Sequence, residues 1–138
     1  MPDFSIEDQY CGRIAGIDEV GRGPLAGPVV AAAVILPRDD RLPAVLLNEL
    51  NDSKKLSVKK RDRLHDIIMS CAEVGIGAAS VREIDQINIL QATYVAMRRA
   101  VAHLSALPDQ ALVDGNRDPG LPCAVETVVK GDSKSLSI

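Results

Sequence analysis

An α/β fold in one domain, residues 1–138, is what this sequence predicts, and three observations predict it. Short apolar runs of strand length alternate with longer stretches whose apolar residues recur every three to four positions. A make-up of 46% hydrophobic and 25% charged residues suits a single core rather than a disordered or fibrous chain. No internal repeat or low-complexity tract breaks the pattern. The core has to be aliphatic, because the chain has no Trp, one Phe and two Tyr.

Residues 13–18 (R-I-A-G-I-D) form a short apolar run ending in acid, and residues 28–36 form a β-branched apolar run; both read as strands. Between them, Gly21-Arg22-Gly23-Pro24-Leu25-Ala26-Gly27 is a loop whose glycines allow close approach to a ligand. Residues 38–50 read as a connection and Asn51-Asp52-Ser53 as a turn. Ser57 is placed to cap a helix in which Leu64, Ile67, Ile68 and Cys71 make one apolar stripe. Gly75 and Gly77 end that helix and open a strand running to about Ser80. Ser80 with Glu83 has capping-box spacing, and Asn88 with Gln91 repeats the polar start. A long helix from near Asn88 follows, with Ile87, Leu90, Tyr94, Met97, Val101 and Leu104 as its inward seam, closed by Pro108. Residues 111–114 (A-L-V-D) and 125–129 are the last strands, and Lys130-Gly131-Asp132 is a turn. The expected order is strand, strand, helix, strand, helix, strand, strand.

Charge and cysteine content narrow the function classes. The net charge of −3 does not by itself indicate a nucleic-acid partner. Local clusters exist at Lys54, Lys55, Lys59, Lys60, Arg61 and Arg63, and at Arg98 with Arg99, although a solvated helix face explains residues 59–63 equally well. Cys11, Cys71 and Cys123 are odd in number and lack zinc-site spacing, so they read as reduced thiols, Cys71 as a small buried hydrophobe, in a cytoplasmic setting. The first ten residues carry Asp3, Glu7 and Asp8 and no basic segment, which argues against a secretory signal. The longest apolar run, residues 29–36, is bracketed by prolines and far short of a membrane span, so no membrane partner is expected. His65 and His103 read as helix-surface residues.

The chemistry sits in the acids. Asp18-Glu19 and Asp114 each close a predicted strand and lead into a glycine-containing loop. If those strands are neighbours, three carboxylates meet at one sheet edge as hard oxygen ligands suited to Mg²⁺ or Mn²⁺. Metal-assisted phosphodiester hydrolysis is then the natural reaction class, with two ions bracketing the phosphate. Spacing alone does not decide this, because acids at strand ends also begin turns and cap helices.

The segment from Ile14 to Val30, I-A-G-I-D-E-V-G-R-G-P-L-A-G-P-V-V, resembles the signature of the ribonuclease HII family, with its D-E-x-G-R-G core. Four further stretches resemble later family motifs in order: Asn51 to Ser57, Glu83-Ile84-Asp85 with Asn88 to Thr93, Asp114-Gly115-Asn116, and Lys130-Gly131-Asp132. The resemblance covers residues 14–138. It implies a ribonuclease H-like mixed sheet flanked by helices, and endonucleolytic cleavage of RNA in RNA–DNA hybrids and at ribonucleotides embedded in duplex DNA, leaving 5′-phosphates. Asp18, Glu19 and Asp114 would be the catalytic, metal-binding acids for two Mn²⁺ or Mg²⁺ ions. Gly21, Arg22 and Gly23 would read the 2′-hydroxyl at the RNA-to-DNA junction, the group that separates RNA from DNA, and Lys54 would contact the substrate backbone. No obligate protein partner is implied.

The family's pattern continues with a helix carrying a fourth catalytic aspartate and a segment with a substrate-stacking tyrosine, and neither is among these residues. The expectation is therefore a C-terminally incomplete domain with a deficient second metal position, weak or absent nuclease activity and uncovered apolar sheet surface. A non-catalytic nucleic-acid or partner-binding fragment of the same fold is the alternative. A nucleotide-binding domain built on Gly21-Arg22-Gly23 fits less well, because the third glycine falls at Gly27 and a strand rather than a helix follows.

Overall fold

A computed structural model describes residues 3–20, 27–37, 57–131, 134, 135, 137 and 138. The loop residues Gly21, Arg22 and Gly23, the connection 38–50, the turn 51–53 and Lys54 lie outside the described residues, as does Asp132.

The strands are β1 (Ile14–Val20), β2 (Val29–Ile35), β3 (Glu73–Ala79), β4 (Gln110–Asp114) and β5 (Ala124–Val128). The helices are α1 (Val58–Cys71), α2 (Val81–Ile87) and α3 (Ile89–Ala102). The five strands make one sheet in the order β3-β2-β1-β4-β5. The pairs β1–β2 and β2–β3 are antiparallel, whereas β1–β4 and β4–β5 are parallel, so the sheet is mixed. Strand β1 is central, and its first four residues are buried on both faces.

Side chains alternate across a strand, which sorts the sheet into two faces. One face carries Ala15 and Ile17 of β1, Val29, Ala31 and Ala33 of β2, Ala79 of β3, and Ala111 and Val113 of β4, and it packs against α3 in the main core. The other carries Val34, which packs with Leu36 of the following segment, Leu64, Ile67, Ile68 and Cys71 of α1 and Phe4 of the N-terminal segment. Ser57 caps α1 as expected, its hydroxyl accepting from the Lys60 N–H at 3.2 Å.

Three expectations change. A separate helix, α2, lies between β3 and the long helix, because the Ser80–Glu83 capping box closes at both ends and starts helix on its own. Asn88 then breaks the two apart: its φ of 75° is outside the helical region, and its side chain accepts from the Gln91 N–H to start α3. The seam of α3 is also rotated from the predicted one. Ala92, Ala96 and Ala100 are fully buried, with Thr93, Met97 and Val101 beside them, while Ile87 is exposed and Tyr94 only partly covered.

Gly75 and Gly77 explain the rotation. They stand inside β3, not at a helix end, and a Cβ on Gly77 would lie 2.3 Å from the Ala100 nitrogen and 2.4 Å from the Ala96 oxygen. A Cβ on Gly75 would come within 2.1 Å of the Ala100 oxygen. Backbone therefore rests on backbone, which only glycine on the strand and alanine on the helix permit. The arrangement is held at the end of the sheet away from the acids by Arg13, whose guanidinium donates to both Glu73 carboxylate oxygens at 2.8 and 3.0 Å. Glu73 also accepts from the Ser105 N–H and hydroxyl beyond α3.

Candidate metal-binding acid pair at the sheet edge

Asp18 lies inside β1, which runs two residues further than predicted because Asp18, Glu19 and Val20 pair with Ala32, Ala31 and Val30 of β2. Asp114 is the last residue of β4. The parallel register of these neighbouring strands pairs Ile17 with Val113, so the next step along each strand brings Asp18 and Asp114 side by side on one face. Glu19 follows Asp18 directly, and strand alternation starts its side chain from the opposite face.

The electrostatics show that the carboxyls still feel one another. Burial pushes the Asp18 carboxyl up to about 8; the negative charges of Asp114 and Glu19 and a hydrogen bond with the Glu19 side chain push the same way, against the Glu19 N–H, which favours the carboxylate. That N–H donates to Asp18 Oδ1 at 2.8 Å. Asp114 Oδ1 accepts from the Gly131 N–H at 2.9 Å, which ties the end of β4 to the turn after β5. Gly115, with φ of 143°, takes the backbone out of β4 immediately beyond the acid, and its N–H donates to the Val128 carbonyl at 3.1 Å.

Among the described residues no group of three His, Cys, Asp or Glu side chains is close enough to hold a metal ion. The chemistry of the donor set nevertheless fits a hard divalent cation. Two adjacent, half-buried carboxyls repel each other and lose hydration, and a cation between them relieves both penalties.

Residues 15–138 match the sequence profile of the family described as Ribonuclease HII. This chain belongs to the ribonuclease HII family. The ribonuclease HII of Paramagnetospirillum magneticum is 60% identical over 138 residues, a match covering 100% of this chain and 68% of that relative. The ribonuclease HII of Rhodospirillum rubrum is 59% identical, with 64% of its length covered. The chain spans between 59% and 68% of the length of the first curated ribonuclease HII relatives it matches. Among solved structures, the ribonuclease H2 of Pyrococcus horikoshii superposes with a TM-score of 0.69 at 25% identity, covering 87% of this chain and 64% of that one. The mixed sheet flanked by helices is thus the ribonuclease H-like fold expected from the sequence.

Other sequence-selected residues have structural partners. Arg99 donates to both Glu83 oxygens, at 2.8 and 2.7 Å, and to the Ala78 carbonyl, while Arg98 donates to the Pro119 carbonyl at 2.7 Å. That second basic cluster therefore braces α3 in the ribonuclease HII fold. Lys59, Lys60, Arg61 and Arg63 are exposed along α1, as a solvated face requires. His103 sits at the C-terminus of α3 with Nδ1 against the Ile76 carbonyl, and His65 is exposed beside Asp66. Asp118 accepts from the Gly120 N–H within its own turn. No helix of the described residues is long and apolar enough to cross a membrane.

Two participants were not assigned roles by sequence reasoning. Gly131 falls in the K-G-D turn, but nothing in the motif announces that its N–H holds Asp114. Glu7 reads as one of several N-terminal acids, yet it is fully buried.

Proposed function

We propose that this chain carries the catalytic acids of an enzyme that hydrolyses RNA paired to DNA, including single ribonucleotides in duplex DNA, with two divalent ions, Mn²⁺ or Mg²⁺. The single observation that carries the reading is the side-by-side placement of Asp18 and Asp114 on adjoining parallel strands, with burial and mutual charge raising Asp18. Asp18, Glu19 and Asp114 would hold the cations. Bound there, divalent ions supply Lewis acidity for the phosphate and an activated water. The solved structure of Bst-RNase HIII in complex with Mn²⁺ shares the fold, with a TM-score of 0.63 at 21% identity, which favours manganese as the probe ion.

The chain's own contribution is placement. The Glu19 N–H and the Gly131 N–H each orient one oxygen, of Asp18 and of Asp114 respectively, as partners of metal-binding carboxylates do. The rigid pairing of β1 with β4 keeps the two carboxyls adjacent through any exchange of substrate. Gly21, Arg22 and Gly23, next along the chain from β1, are assigned to the 2′-hydroxyl and its flanking phosphate, and Lys54 to the substrate backbone. Residues 1–138 are assigned to a single ribonuclease H-like domain, and its setting to the cytoplasm.

Titrating Mn²⁺ into the chain by calorimetry, with Asp18→Asn and Asp114→Asn alongside, tests the reading. Binding to the parent chain and its loss in both variants is expected. A parallel assay on a duplex with one embedded ribonucleotide reads out cleavage. Mn²⁺ affinity unchanged by both substitutions refutes the assignment.

A further inference from the structure

Outside the acid pair, Glu7 is a fully buried acid. It lies in a 3-10 turn, Glu7–Gln9, ahead of β1, and none of its surface is exposed. Its Oε2 accepts from the Ser135 hydroxyl and from the Ser137 N–H, each at 3.0 Å. Its Oε1 is buried without a hydrogen-bond partner among the described residues. A buried carboxyl with half its acceptors unmet costs stability, so its presence calls for a compensating role.

The segment it grips leads to the site. The Ser135 and Lys134 N–H groups donate to the Gly131 carbonyl at 2.7 and 2.9 Å, and the Gly131 N–H donates to Asp114. Ser137 lies against β1 on the Asp18 face, so close that a Cβ on Gly16 would stand 2.2 Å from the Ser137 carbonyl carbon and oxygen. Ile138 then reaches back over Gly131, with its Cδ1 2.6 Å from where a Cβ would be. Asp3 adds a strand-like bridge to Ser135 on the N-terminal side.

We infer that Glu7 is a positioning residue for Asp114: by holding Ser135 and Ser137 it fixes the Gly131 turn, and the Gly131 N–H then orients the carboxylate beside Asp18. This rests on the reading of Asp18 and Asp114 as the metal-binding acids. The N-terminal segment thereby becomes part of the site's support, although it lies far from Asp114 in the chain. A carboxylate suits the task because one oxygen accepts two donors at once, and charge-assisted bonds are the stronger kind.

Hydrogen exchange at individual amides tests the tether without any need for activity. Glu7→Ala is expected to speed exchange at Gly131 and Ser137 by about tenfold or more, the loss of a hydrogen bond to a charged group, while the Ala96 and Ala100 amides in α3 keep their protection. Glu7→Gln retains an acceptor oxygen for both donors and is expected to restore most of the protection. Ser135→Ala leaves the carboxylate in place and removes one of its donors, so it answers the question if Glu7→Ala does not fold. In the same samples Mn²⁺ affinity is expected to fall about tenfold in Glu7→Ala, as for other residues that orient metal ligands. Gly131 exchange that is unchanged in Glu7→Ala and Ser135→Ala overturns the inference. An exchange response in a chain that binds no Mn²⁺ supports the tether and counts against the metal reading instead.

Discussion

Replacing Gly77 by alanine pits two physical effects of opposite sign against each other. Considered locally, alanine in a strand is better than glycine by about 0.5–1 kcal/mol, because glycine loses more backbone freedom on folding. Considered in the structure, the new Cβ would meet the Ala100 nitrogen at 2.3 Å, the Ala96 oxygen at 2.4 Å and the Arg99 carbonyl carbon at 2.7 Å. All three are helix backbone, which cannot swing aside. Ordinary contact needs about 3.5 Å, so α3 has to withdraw from β3 by roughly 1 Å, and a gap of that size forfeits a quarter to a half of the dispersion attraction across the contact. The face that loses it includes Ala92, Thr93, Ala96, Met97, Ala100 and Val101, each no more than 2% exposed. Overpacking of this kind costs about 1–3 kcal/mol in ordinary cores, and rigid backbone on both sides puts Gly77→Ala at or above about 3 kcal/mol. Urea unfolding followed by circular dichroism measures it, with Ile76→Ala as the control, since Ile76 is 51% exposed on the other side of the same strand. The control should lose less than about 1 kcal/mol. A Gly77→Ala chain as stable as the parent, or more stable, refutes the close backbone contact as the basis of α3 packing.

Two further outcomes follow from the charged groups. Hydrogen bonds from Arg13, with those from Ser105, hold the Glu73 carboxyl down at about 2, below its usual 4.5, so its contribution is fully present above pH 4.5 and is lost as the pH falls toward 2. Glu73→Gln should therefore cost about 1 kcal/mol at pH 7, after allowance for the partial exposure of the pair, and the difference from the parent should shrink at pH 3; equal losses at both values in urea titrations contradict this. Asp18 has the opposite sign. Its carboxyl is raised from 3.8 to about 8, so the metal-free parent loses stability as the pH climbs between those values, and Asp18→Asn should stabilise the metal-free chain by about 1–2 kcal/mol at pH 8 while abolishing its stabilisation by Mn²⁺. Thermal unfolding with and without Mn²⁺ reads both effects, and a destabilised Asp18→Asn chain without metal contradicts the first.

Much of the fold was legible because periodicity is local. The apolar runs of β1, β2, β4 and β5, the stripe of α1 and the caps at Ser57, Ser80 and Asn88 all lie within a few residues of the features that announce them. The split into α2 and α3 was half visible, since both capping signals were present, but nothing in the sequence shows that Asn88 adopts a positive φ between them. In the sequence Gly75 and Gly77 look like punctuation, which glycine usually is; their actual partner, the backbone of α3, is about twenty residues away in the chain. The same distance hid the roles of Arg98 and Arg99, because a charged residue looks identical in sequence whether it meets a phosphate or a carbonyl.

For the candidate site, the sequence alone singled out the candidate acids, carboxylates at strand ends beside a glycine-rich signature, in an order and spacing specific enough to assign the ribonuclease HII family. Only the tertiary structure decided that β1 and β4 are neighbours and parallel in a register that sets Asp18 beside Asp114, and that the burial of a distant glutamate ties the chain's two ends together behind them. The physical reason is that side-chain type is written residue by residue, whereas strand register and burial follow from how all the apolar faces pack at once.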